Sequence, residues 1–233
     1  MAKGPTIFQQ CVMEFFSCFL IVLTIQNAGT KTYAAFAIAV SFFIGVFIAA
    51  KISGAHLNPA VTFMVYFNDK ERNPHATKIT KYLPLIAAQI LGATFGALLS
   101  DVLGGFTQTP QIKLSYFQGF FAEALFTFFL CAGVSVIADP HSGMDPAMCG
   151  LVVCTLIFLT AVSIGPHTSG IVNPAIGIAL VSAAYVKGTR KDFDPMVIFV
   201  YIFAPLVGAY CAHMLYVKII QPAMQQDNKI EDE

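Results

Sequence analysis

Tryptophan is absent from this chain of 233 residues, arginine occurs only at positions 72 and 190, and charged residues make up just 11% of the sequence. So few charges exclude a basic surface for nucleic acid, and we expect no nucleic-acid partner. Hydrophobic residues make up 57% of the chain and include 22 Phe. This combination is typical of an integral membrane protein and not of a soluble domain.

The polar chemistry of an enzyme or a metal site is also missing. The six cysteines fall in or beside apolar stretches without the spacing of metal ligands, so we expect buried, unpaired thiols, no metal and no cofactor. An intramembrane hydrolase would need a nucleophile with a base, or paired aspartates within the spans. Asp101, Asp139 and Asp145 lie at the ends of apolar stretches instead. The sequence therefore predicts a protein that is not an enzyme.

Six apolar stretches are each close to the ~20 residues that cross a bilayer as a helix. Two further stretches are too short to cross, because ten helical residues reach only ~15 Å. The prediction is an all-α membrane protein with six transmembrane helices and two re-entrant half-helices. The spans are residues 8–26, 33–52, 83–103, 116–138, 147–165 and 195–217, and the half-helices are 59–67 and 174–184.

The tripeptide Asn-Pro-Ala occurs twice, as Asn58-Pro59-Ala60 and Asn173-Pro174-Ala175, 115 residues apart (173 − 58). Asparagine is a favoured helix N-cap and proline suits the next position, so each tripeptide begins one of the short helices. Irregular backbone at membrane depth is tolerated where it is buried or lines a watery cavity. The two short helices therefore indicate a pore or a binding cavity.

Matching residues elsewhere extend the duplication to the whole chain. Glu14 in the first span matches Glu123 in the fourth at an offset of 109 (123 − 14), and Gly92 matches Gly208 at an offset of 116 (208 − 92). We predict a single domain over 1–233, with repeat 1 at about 8–103, repeat 2 at about 116–217 and a polar tail at 218–233. Three spans per repeat is an odd number, so the second copy must be inverted, and the half-helices meet near the midplane.

Positive charge predicts the orientation of the chain. By these spans, eight Lys and Arg residues fall on the side that carries both termini and five fall on the other, which favours cytoplasmic termini. The eight are Lys3, Lys51, Lys70, Arg72, Lys78, Lys81, Lys218 and Lys229, and the five are Lys31, Lys113, Lys187, Arg190 and Lys191.

The inverted repeat, the segment from Ser53 to Thr62, the second Asn-Pro-Ala and the paired glutamates resemble the aquaporin, or major intrinsic protein, family over the whole chain. The resemblance implies a passive channel for water and small neutral solutes, in a lipid bilayer and as a homotetramer with one pore per protomer. It also implies that Glu14 and Glu123 support the two turns and that His56 lines the inner mouth.

The chain departs from the family after the second Asn-Pro-Ala, where Ile176 stands in place of a common arginine. The resemblance implies an outer constriction formed by Ile38, Ala161, Gly170 and Ile176. Such an apolar ring does not identify the solute. It has no bulky polar groups to exclude glycerol, urea or ammonia, yet it offers few hydrogen bonds to a polyol. A closed-pore structural protein of the same fold and a weakly ion-conducting channel are the alternatives.

Overall fold

The computed structural model describes residues 4–29, 31–105, 109–139, 142–188 and 194–225, and these residues form a bundle of helices. A 3₁₀ turn, Ile79–Lys81, precedes α4, and a π-helical turn, Tyr216–Ile220, follows α9 and continues as helix to residue 225. The α-helices are α1 (Ile7–Ala28), α2 (Ala34–Ser53), α3 (Pro59–Arg72), α4 (Leu83–Val102), α5 (Tyr116–Ile137), α6 (Pro146–Ser163), α7 (Gly165–Thr168), α8 (Pro174–Val186) and α9 (Pro195–Leu215).

Six helical segments of the described chain are long and apolar enough to cross a membrane, which confirms the predicted fold class. They are α1, α2, Ile79–Val102, α5, α6 and Pro195–Gln225. The protein is therefore an integral multi-pass membrane protein. The two short helices contain 14 and 13 residues, and at ~1.5 Å per residue each covers only about two thirds of a ~30 Å hydrocarbon core.

Most helix boundaries lie within two residues of the sequence prediction, and two regions differ by more. Helix α3 extends to Arg72 instead of residue 67, because its polar last turn is held by an ion pair between Arg72 and Asp69. The tail expected from residue 218 begins as helix and is described as far as residue 225. Residues 226–233 lie outside the described chain, as does Arg190.

The first helix of each repeat begins with the same capping motif. In α1, Thr6 and Gln9 form a capping box, and in α5 Ser115 and Gln118 form the equivalent one, each at the offset of 109 that relates the glutamates. Such boxes satisfy backbone N–H groups that a helix start leaves without a partner. The repeat therefore includes the helix starts as well as the buried glutamates.

Glycine allows α1 to approach α4 and α5 to approach α9. A Cβ atom on Gly92 would overlap the carbonyl oxygen of Phe15, and one on Gly208 would overlap that of Ala124. Small residues permit this close backbone approach between membrane helices. The outward faces of the same helices are apolar, with Phe8 and Phe117 74% and 81% exposed, as expected of surfaces that face lipid.

Candidate functional site

The segments before α3 and α8 have the same unusual backbone. Ala55 and Leu57 have φ values of 50° and 52°, while Ser169 and Val172 have values of 70° and 41°. Residues other than glycine rarely adopt positive φ, and such conformations persist only where surrounding contacts impose them. Each turn must therefore be held by its neighbours.

A fully buried carboxylate holds the first turn. Oε1 of Glu14 accepts hydrogen bonds from Ser53 Oγ at 2.6 Å and from the backbone N of His56 at 3.0 Å. Oε2 accepts from the backbone N of Leu57 and from Gln89 Nε2, both at 2.7 Å. Four donors thus compensate the burial of the charge.

Glu123 holds the second turn in the same way. It is fully buried, and it accepts the backbone N–H of Ile171 at 3.0 Å and that of Val172 at 2.6 Å. Thr168 also lies beside this carboxylate, as Ser53 does beside Glu14, and its hydroxyl donates to the carbonyl of Ile164 at 3.3 Å. Both glutamates singled out in the sequence therefore contact the turns that precede the half-helices.

Sequence reasoning missed Gln89, the fourth donor to Glu14. Gln89 is fully buried, and its Nε2 also lies 2.9 Å from Thr62 Oγ1. Its place in repeat 2, at the offset of 116, is occupied by Pro205, which cannot donate. The available signal was a glutamine within an apolar span, but a polar residue alone does not identify its partner.

The two asparagines bond to each other's turns. Asn58 Oδ1 caps its own helix by accepting the N–H of Ala60 at 2.8 Å, and its Nδ2 donates to the carbonyl oxygen of Val172 at 2.9 Å. Asn173 likewise caps at Ala175 N at 3.0 Å and donates to the carbonyl of Leu57 at 2.9 Å.

These bonds bring the N-terminal ends of α3 and α8 together, so two partial positive charges converge. Each carboxamide carries two N–H groups, and the cross-bond uses one of them. The second N–H of each asparagine remains for another acceptor. Pro59, Ala60, Pro174 and Ala175 are buried around this meeting point.

The four residues of the predicted constriction line one small cavity. Ile38, Ala161, Gly170 and Ile176 enclose about 60 Å³ together with other side chains, among them Phe42 and Ile157, which the sequence reasoning missed. This ring cavity adjoins a larger cavity of about 460 Å³, which we call the vestibule. Ile38 and Ala161 line both cavities. The side chains of the four predicted residues carry no hydrogen-bonding atom.

A second cavity lies at the terminal face, where α1 begins and α9 ends. We call it the terminal-face cavity. It has a volume of about 200 Å³, and polar residues from several elements contribute to its lining, namely His56, Asn68, Asp69, Arg72, Ser135 and Tyr216. His56 stacks against Tyr82 with ring centroids 6.5 Å apart, and its Nδ1 lies 3.3 Å from Thr62 Oγ1. His56 therefore has its ring fixed where it lines this cavity.

A network fixes the polar end of α3 beside this cavity. Arg72 Nη2 lies 2.7 Å from Asp69 Oδ1, and Arg72 Nη1 donates to Tyr216 Oη at 3.4 Å. The hydroxyl of Tyr82 donates to Asp69, and that of Tyr216 donates to Asp139. This network was not predictable from the sequence, because its members Asp69, Tyr82, Asp139 and Tyr216 are distant in the chain and meet only in the fold.

Comparisons with known proteins agree with this geometry. The family model described as "Major intrinsic protein" matches residues 1–216. Aquaporin TIP2-1 of Zea mays is 33% identical over 78% of this chain and 69% of its own length. The glycerol uptake facilitator protein of Escherichia coli (strain K12) is 25% identical over 94% of this chain and 91% of its own.

Aquaglyceroporin-4 of Botryotinia fuckeliana is 27% identical over 89% of this chain, which spans only 31% of that longer protein. Among solved structures, the aquaglyceroporin from Plasmodium falciparum superimposes with a TM-score of 0.81. The match covers 95% of this chain and all of that one, at 20% identity. This likeness supports the fold.

Proposed function

Because the chain belongs to the major intrinsic protein family, whose members are passive membrane channels and not enzymes, we propose that it conducts water and small uncharged solutes. The observation that carries the proposal is the meeting of the two asparagine-capped half-helices. Each asparagine keeps one N–H for a permeant oxygen. The names of two relatives, an aquaporin and a glycerol uptake facilitator, support the same solute class.

Ion exclusion follows from the charges at this meeting point. The N-terminal ends of α3 and α8 are both positive, and together they oppose a cation where the two repeats meet. A water molecule whose oxygen accepts hydrogen bonds from both asparagines cannot readily accept a proton from the next water. In this mechanism Asn58 and Asn173 admit neutral molecules and interrupt proton transfer.

In this proposal the ring cavity selects among solutes by their size and polarity. Ile38, Ala161, Gly170 and Ile176 form the constriction, and an entering solute exchanges its hydration for apolar contacts. An unpaired hydroxyl costs roughly 1–3 kcal/mol there, so water passes more easily than a polyol. The ring is therefore a barrier to polar solutes that binding elsewhere in the pore must offset.

The proposal also includes the orientation of the chain in the membrane and its assembly into an oligomer. The excess of Lys and Arg on the terminal face supports cytoplasmic termini. Family membership supports a homotetramer with one pore in each protomer.

Stopped-flow light scattering on proteoliposomes tests the proposal. Purified protein should accelerate shrinkage in an impermeant osmolyte, and reswelling in glycerol or urea would extend the solute range. An Ile176→Arg variant should lose reswelling and retain shrinkage, because it places a bulky charged group in the ring cavity. Ile176→Val, which keeps the ring apolar, is the matched control. Shrinkage no faster than in empty liposomes would overturn the proposal in favour of a closed channel, and conductance in planar bilayers would indicate an ion pathway.

A further inference from the structure

We propose that the terminal-face cavity is a recognition site for small uncharged polyols, and that Arg72 is the residue that selects them. This inference rests on the channel function proposed above. It assigns polar recognition to the opposite end of the pore from the apolar ring. The two cavities differ in chemistry. The polar side chain that lines the ring cavity, Ser169, is already bonded to the backbone of Gln111, while the terminal-face cavity is lined by His56, Asp69, Arg72 and Tyr216.

Arg72 has unused hydrogen-bonding capacity at this cavity. A guanidinium group carries five N–H donors. The bonds to Asp69 Oδ1 and Tyr216 Oη use two of them, which leaves three. The Arg72 side chain is only 24% exposed, so few water molecules compete for these donors. A solute oxygen in the cavity therefore meets donors that protein contacts leave free.

The network around Arg72 holds the group in place before a solute arrives. Asp69 is fixed by the hydroxyl of Tyr82, the residue just before α4, and Tyr216 is fixed by its bond to Asp139, which follows α5. Arg72 is bonded to both Asp69 and Tyr216. A preorganised donor loses little side-chain freedom on binding, so its bonds contribute more to affinity.

Charge and size narrow the ligand to a small polyol. The carboxylate of Asp69 balances Arg72, so the site favours neither an anion nor a cation. A hydroxyl group both donates and accepts, which matches a guanidinium beside a carboxylate. The volume of about 200 Å³ is below the roughly 300–1,000 Å³ of sites for drug-sized ligands. Glycerol is therefore the probe of choice.

The test compares glycerol with water permeability in the same proteoliposomes, by stopped-flow light scattering. In Arg72→Gln the ratio of glycerol to water permeability should fall about fivefold or more, because charge-assisted hydrogen bonds to the solute are lost. The glycerol concentration that half-saturates the flux should rise. Lys70→Gln is the matched control. It removes the same charge from the same helix, but Lys70 is exposed and bonds to the carbonyl of Pro74, so the ratio should not change.

Arg72→Lys provides a second variant in case Arg72→Gln does not fold. It keeps the positive charge but loses the planar arrangement of guanidinium N–H donors. The ratio of glycerol to water permeability should therefore fall about threefold or more. An unchanged ratio, or an equal fall of both permeabilities, would assign Arg72 a structural role and overturn the inference. A wild-type protein that conducts water but not glycerol would also overturn it and leave the channel intact. A wild type that conducts neither would overturn the channel function itself.

Discussion

The side-chain Nδ2 atoms of Asn58 and Asn173 donate to the carbonyl oxygens of Val172 and Leu57, each at 2.9 Å, so each asparagine bonds to the residue that precedes the other. Leu57 and Val172 both have positive φ, and the cross-bonds hold their carbonyl groups in place. The pair joins the two repeats through buried side chains. We therefore propose that stability and conduction are coupled at these two residues.

Replacement of either asparagine should affect both properties. Asn58→Ala removes a helix N-cap and a buried cross-repeat bond, and we expect a loss of about 1–3 kcal/mol in the free energy of unfolding. Asn173→Ala should give a loss of similar size. Thermal unfolding followed by far-ultraviolet circular dichroism measures this, and Asn73→Ala, at an exposed asparagine just after α3, is the control. Water permeability should fall in both variants. Unequal losses would contradict the symmetric role of the pair.

The two glutamates should not be equivalent. Glu14→Gln replaces one acceptor oxygen by an NH₂ group, which faces N–H or O–H donors and cannot accept their hydrogen bonds. Each buried donor that loses its partner should lower the free energy of unfolding by about 1–3 kcal/mol. Glu14 accepts four such bonds, including that of Gln89, which has no counterpart beside Glu123. We therefore expect a larger drop in unfolding temperature for Glu14→Gln than for Glu123→Gln.

The exposed Glu71 on α3 offers the control for this comparison. Glu71→Gln removes the same charge without disturbing a buried network and should leave the unfolding temperature unchanged. If Glu123→Gln proved as costly as Glu14→Gln, the bond from Gln89 would contribute nothing to stability.

The helix contacts at glycine predict a steric effect. Gly92→Ala and Gly208→Ala would each place a methyl group against a backbone carbonyl, which cannot rotate away. We expect each to lower the free energy of unfolding by about 1–3 kcal/mol or more through overpacking. Gly4→Ala meets no atom within 4 Å and should have no effect in the same unfolding assay. Stable Gly92 and Gly208 variants would mean that the helix pairs can separate without cost.

A change in the ring cavity should alter solute size selection. Ile38→Ala enlarges the small cavity, and we expect urea and glycerol permeability to rise about threefold relative to water, since less apolar contact displaces the hydration of the solute. Ile44→Ala on the same helix is the control, because Ile44 is 42% exposed on the outer surface. Stopped-flow reswelling measures both. An equal effect of the two substitutions would place size selection elsewhere.

Helix α8 suggests a further steric prediction. Gly177 lies against Tyr201, whose Cβ atom would be 2.7 Å from a Cβ at position 177. Gly177→Asp, which would place a charged side chain against Tyr201, should therefore destabilise the protein and not simply enhance glycerol flux. The amount of folded protein recovered by size-exclusion chromatography checks this. A folded variant with faster glycerol flux would contradict it.

Much of the fold was predictable because its determinants are local. Apolar length predicts the spans, and an asparagine followed by proline predicts where α3 and α8 begin, since both signals act within a few residues. The extension of α3 to Arg72 was not predictable from those signals, because it depends on Arg72 and Asp69 lying beside Tyr216 and Tyr82 from other helices. The short helix α7 also escaped prediction, although it ends at Thr168, which lies beside Glu123.

The sequence by itself determined the membrane environment, the duplication and the identity of the paired glutamates and asparagines, because composition, length and repeated spacing are properties of the chain alone. Only the tertiary structure decided which groups these side chains bind. Asn58 reaches Val172 across 114 residues of chain, and Gln89 reaches Glu14 across 75. No local preference encodes such partners, since they meet only when the two repeats pack together. The contrast between an apolar ring and a polar terminal-face cavity arises from the same packing.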